Sequence, residues 1–171
     1  MSVSSSTLTA QLSVIESITS GAIGTSTLLI DGANATSSLN TATTPAATLV
    51  IHELHTLSGT TLLLDLTDAP GTNIAAGDSD AQTAAGLRLQ QFIIRNLSVT
   101  NTLKIEADAT AGYDVFGASG IVLLPAATAT VPSLIAGSVP ENSTDVVAAT
   151  NDEILFTGTS AEQFEYILVF G

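Results

Sequence analysis

The segment LVIHELHTL at 49–57 holds both histidines of the chain, His52 and His55, with Glu53 between them. Two imidazoles and a carboxylate are the donor set of a hydrolytic zinc site, whose H-E-x-x-H signature sets its histidines four apart on one helical face. His52 and His55 are three apart. The residues around them alternate apolar and polar, which is strand periodicity, and on a strand positions 52 and 55 point to opposite faces. One ion cannot be shared from there. The segment therefore predicts a pair of strand histidines, with no metal and no active site built on them; an enzyme centred on His52 or His55 is the rival to exclude.

Asp68, Asp78 and Asp80 fall in DAPGTNIAAGDSDAQTAAG, 68–86, a stretch of turn residues without apolar periodicity. A flexible acidic loop suits calcium, but the D-x-[DN]-x-[DN]-G spacing and closing glutamate of an EF-hand are missing, so a solvated loop is expected. Its end, Ser79 to Ala85, has the makings of a helical turn. The chain has no cysteine, which removes thiolate chemistry and disulfides. No Gly-x-Ser-x-Gly elbow or phosphate-binding loop occurs, and a Ser-His-Asp triad would have to draw on the same two histidines. No catalytic residue and no cofactor is expected. The Asn-x-Ser/Thr triplets at Asn34, Asn96 and Asn142 are chance matches in so Ser- and Thr-rich a chain.

Lys plus Arg number 3 and Asp plus Glu 16, for a net charge of −13. That balance repels phosphate backbones, so nucleic acid is not a partner. The cations Arg88, Arg95 and Lys104 all lie in one central stretch. Arg95 sits in the apolar run FIIRNL, where it either alternates outward or pairs with a carboxylate across a subunit contact. Charged residues are only 11% of the chain while hydrophobic ones reach 45%. No apolar run approaches the roughly 20 residues of a membrane helix, so the excess is assigned to subunit interfaces. The N-terminal MSVSSSTLTAQLSV lacks the basic and apolar regions of a secretory signal, and none is expected.

The elements that must carry these residues are strands. TLTAQLSV, STLLID, LRLQQFIIRNL, TLKIEA, GIVLLPA, DEILFTG and FEYILVFG all show period-2 patterning or short apolar runs between turn-rich segments. LVIHELHTL and TTLLLDLTD are joined by Ser58 and Gly59, which predicts a hairpin whose glycine takes a positive φ. FEYILVFG sets Phe164, Tyr166, Leu168 and Phe170 on one face, with Ile167 and Val169 on the other. A strand apolar on both sides is central in a sandwich or pressed against a neighbour. The expected fold is all-β, an antiparallel β-sandwich or jelly roll of short strands, oligomeric, in a single domain over 1–171. Residues 47–171 form the main sandwich, and 1–46 are either its first strands, the favoured reading, or an arm.

The order LLLDLTDAPG, FIIRNLSVTNTLKIEA, VFGASGIVLLPA, TNDEILFTGT, FEYILVFG resembles small virion structural proteins of tailed bacteriophages, which decorate capsids or join tail parts as β-sandwich or jelly-roll oligomers. The resemblance covers residues 47–171 and rests on patterning. It implies a non-enzymatic protein that self-assembles, as a homotrimer, and decorates or stabilises a phage capsid or tail, in the virion and with no membrane partner. The alternative is a carbohydrate- or receptor-binding module of a fibre, with the 68–86 loop as contact surface and calcium beneath it.

Overall fold

The computed structural model describes residues 5–10, 13–20, 24–31, 35–39, 46–69, 82–116, 120–138 and 144–171. It is all-β. Four strands lie in the N-terminal quarter: β1 (Ser6–Ala10), β2 (Ser13–Ser20), β3 (Gly24–Asp31) and β4 (Ala35–Leu39). Eight follow: β5 (Leu49–Thr56), β6 (Thr61–Asp65), β7 (Leu89–Asn96), β8 (Leu103–Ala107), β9 (Ile121–Leu124), β10 (Ser133–Ser138), β11 (Glu153–Thr157) and β12 (Gln163–Phe170). These eight make two four-stranded antiparallel sheets, ordered β10-β7-β12-β5 and β6-β11-β8-β9. The pairs β5·β12, β6·β11, β7·β10 and β8·β9 are nested, so these eight strands form one antiparallel ribbon rolled into two layers.

The core lies between the layers and is built from the alternate residues of each strand. β12 supplies Phe164, Tyr166, Leu168 and Phe170, the face assigned by periodicity, and all four are buried. Against them pack Ile105 from β8 and Ile154 and Phe156 from β11. Phe156 stacks on Phe164 with ring centroids 4.7 Å apart and on Tyr166 at 5.8 Å. Such stacked pairs add about 1 kcal/mol each beyond the area they bury.

The second face of β12 is covered from within the chain. β12 runs between β7 and β5, and Val169 on its outer side is buried. Thr7 and Leu8 of β1 line a small cavity there with Gln91, Ile93, Ile167 and Val169. Among the described residues β1 pairs with β4 and β2 with β3, and neither pair joins a four-stranded sheet. β1 lies over the outer face of the first sheet.

Two local expectations are corrected. β5 and β6 do not form a hairpin, because β5 pairs with β12 in one sheet and β6 with β11 in the other. The connection between them crosses the sandwich: buried Leu57 gives its N–H to Glu162 O at 2.9 Å and takes the N–H of Ala161 at 2.8 Å. Gly59 consequently needs no positive φ, and the glycine that adopts one among the described residues is Gly86. The helical turn falls partly outside the described residues; within them Gln82 pairs with Ala69 in a β-bridge that closes the base of the 68–86 loop. Strand β10, SLIAGS, escaped the periodicity because of its glycine. A Cβ on Gly137 would lie 2.7 Å from the ring of its cross-strand partner Phe92, so the strand keeps a glycine where the ring passes.

Asn96, at the end of β7, is buried, and its amide Nδ2 donates to the carbonyls of Asn101, Leu124 and Pro125 at 2.8 to 3.1 Å. Its Oδ1 accepts the N–H of Ser98 at 2.9 Å. One side chain thus ties the first sheet to β9 of the second, which its placement in a glycosylation triplet would not suggest. The isosteric Asn96→Asp loses the donor and sets carboxylate against carbonyl oxygens. A loss of about 3 kcal/mol is expected, read from the shift in a denaturant unfolding midpoint.

Candidate functional site

β5 and β12 pair in register from Gln163↔Thr56 to Phe170↔Leu49, which places His52 beside Ile167 on the outer face and Glu53 beside Tyr166 on the inner one. The two histidines do fall on opposite faces. Each joins a carboxylate that already holds a second donor. Outside, Glu165 takes His52 Nε2 at 2.8 Å on one oxygen and Arg95 Nη2 at 2.7 Å on the other. Inside, Glu53 takes His55 Nδ1 at 3.1 Å on one oxygen and the Tyr166 hydroxyl on the other. The His55 ring also packs against Phe164 at 5.4 Å.

Glu165 with His52 and Arg95, and Glu53 with Tyr166, form cross-strand clamps, while His55 joins Glu53 along the same strand. A general base needs a free carboxylate or imidazole aimed at a substrate position, whereas both oxygens of Glu53 and of Glu165 are taken by donors of the same sheet. Arg95 alternates outward, as one reading expected, and its carboxylate partner is Glu165 of the same chain, so the pairing needs no neighbour. Burial of the Tyr166 phenol, and its hydrogen bond to the negative Glu53, push its pKa far above the ordinary tyrosine value.

Of the loop carboxylates, Asp68 is exposed and its N–H reaches Asp65 O at 3.3 Å, while Asp78 and Asp80 lie outside the described residues. Among the described residues no group of three or more His, Asp or Glu side chains is placed to hold a metal. Asn34 and Asn142 also lie outside them.

The structure assembles a charged region that spacing alone did not reveal. Strand register sets Asp65 opposite Glu153, with Asp108 beyond it, at one end of the outer face of the second sheet. Desolvation first, and then the negative Asp108, Asp152 and Asp65, raise the Glu153 carboxyl above its usual value. The N–H of Thr110, donated to Asp108 at 2.7 Å, holds that neighbour low. The four residues are scattered from 65 to 153, so only pairing could have found them. Two open clefts accompany the sheets: one of about 320 Å³ beside Arg95, between 96–99 and 127–132, and one of about 380 Å³ lined by Glu106, Asp108, Gly120 and Ile121.

Two outcomes test the clamp reading. His52→Ala and His55→Ala each cost about 1 kcal/mol in thermal unfolding and leave the fold intact. For Tyr166 the sign follows from its raised folded pKa. The unfolded phenol releases its proton near 10 while the folded one keeps it, so stability is full below about pH 10 and falls as pH rises above it. Tyr166→Phe flattens that alkaline loss in melting curves recorded from pH 8 to 11, and a profile unchanged by the substitution would contradict it.

Compared with protein-family models, curated proteins and solved structures, the chain matches none of them.

Proposed function

We propose that this chain is a non-enzymatic virion subunit, a jelly roll that self-assembles as a ring of three copies and decorates or stabilises the capsid or tail of a tailed bacteriophage. The nested pairing of β5 through β12 supports the jelly-roll assignment. The observation that carries the assembly role is the aliphatic character of both outward sheet faces. Val50, Leu54 and Leu134 stand exposed on the first sheet, and Leu63, Ile121 and Leu123 on the second. Such faces are what subunit contacts cover. The first sheet already accepts a strand of the N-terminal segment against its outer face, which suits that side to the ring contact.

The carbohydrate-binding alternative needs aromatic rings free to stack on sugars. All five Phe and both Tyr of the chain belong to the core or pack against it, and none is offered to a ligand.

Light scattering after size exclusion, with and without a chelator, is the test. A mass of at least three times the 17.3 kDa chain, unchanged by chelation and retained on particles lacking the protein, is the expected result. A monomer, or an assembly that falls apart without metal, would overturn the proposal and return attention to the 68–86 loop.

A further inference from the structure

The outer face of the second sheet is ordered in three rows by strand register. The first runs Thr61, Thr157, Lys104, Leu123, and the second Leu63, Leu155, Glu106, Ile121. The third is Asp65 and Glu153, with Asp108 beyond the end of β8. One end of the face therefore carries an amine and the other a group of carboxylates, with aliphatic side chains and Glu106 between them. Leu63 is 46% exposed, Ile121 55% and Leu123 62%, too much apolar surface on one small face to be accidental.

From this arrangement we infer that the outer face of β6-β11-β8-β9 is a two-fold contact with a second copy of this chain, in which Lys104 of each copy meets the Asp108 and Glu153 end of the other. The geometry selects the axis. Two identical sheet faces can meet only about an axis lying between them, and an axis along the strands would set the first row over the first row and the carboxylate row over the carboxylate row. An axis along the middle row reverses strand direction and sets the first row of one copy over the third row of the other. Leu63, Leu155 and Ile121 then stack on their own counterparts, as residues on an isologous axis do. Glu106 also meets its counterpart there, and each Glu106 is held by its own Lys104 at 2.6 Å. The cleft of about 380 Å³ lined by Glu106, Asp108, Gly120 and Ile121 opens where the amine of the second copy arrives. Desolvation, and then the neighbouring Asp108, Asp152 and Asp65, raise the Glu153 carboxyl, a crowding of like charge that an amine arriving from the second copy relieves.

The inference rests on the self-assembly reading, yet the two fail separately. The contact adds a two-fold to the ring, so the native mass is twice that of the ring. Lys104→Glu sets acid against acid at both ends of the contact, and Glu153→Lys sets amine against amine. Each variant alone is expected to run at half the wild-type mass in light scattering, with an unchanged circular dichroism spectrum as the check on folding. Mixed in equal amounts, each supplies the charge that the other lacks, and the wild-type mass returns. A wild-type mass of three chains overturns the two-fold and leaves the ring. A dimer supports the two-fold and overturns the ring, while a monomer overturns both. Variants that fold and keep the full mass, or a mixture that does not reassociate, also sink the inference.

Discussion

The stack of Phe156 on Phe164 and Tyr166 is the contact on which the rest depends, because it is where the two sheets meet ring to ring. With no cysteine to staple the layers, and no helix among the described residues to cover them, packing between sheets must hold the fold. The same ring sets the polar chemistry. Tyr166 lies flat in the core with its hydroxyl at the rim, where it meets Glu53, so one side chain fills the interior and anchors a carboxylate at its edge.

Charge is used sparingly. Each of the three cations is committed to a carboxylate: Arg88 to Asp145, Arg95 to Glu165 and Lys104 to Glu106. Thirteen negative charges remain in excess, and most keep copies of the chain apart unless a specific surface overrides the repulsion. The carboxylates of the second sheet's outer face lie beside aliphatic side chains and at the far end of the face from an amine, and the proposed two-fold contact would supply such an override there. General repulsion with one complementary patch is a route to selective association.

The sequence made the strands and their faces legible where alternation was strong. The burial of Phe164, Tyr166, Leu168 and Phe170 and the opposed directions of His52 and His55 follow from a period of two alone. Partner choice was not legible. Ser58 and Gly59 read as a hairpin because a short polar link usually returns a chain on itself, whereas Leu57 is drawn inward and the link crosses to the other sheet. β10 was hidden by Gly137, whose meaning depends on Phe92, far upstream. The acidic group of Asp65, Asp108 and Glu153 was invisible for the same reason: residues distant in the chain become neighbours only through register.

The position of β12 has a consequence for how the molecule comes into being. It is the strand between β7 and β5, both made long before it during synthesis, so the first sheet has a gap at its centre until these residues leave the ribosome. β5 and β7 must wait with unpaired edges and exposed core faces, a state of high contact order that folds slowly and invites misassociation. The strong net negative charge is then a safeguard of the nascent chain as well, holding incomplete copies apart until β12 closes the sheet.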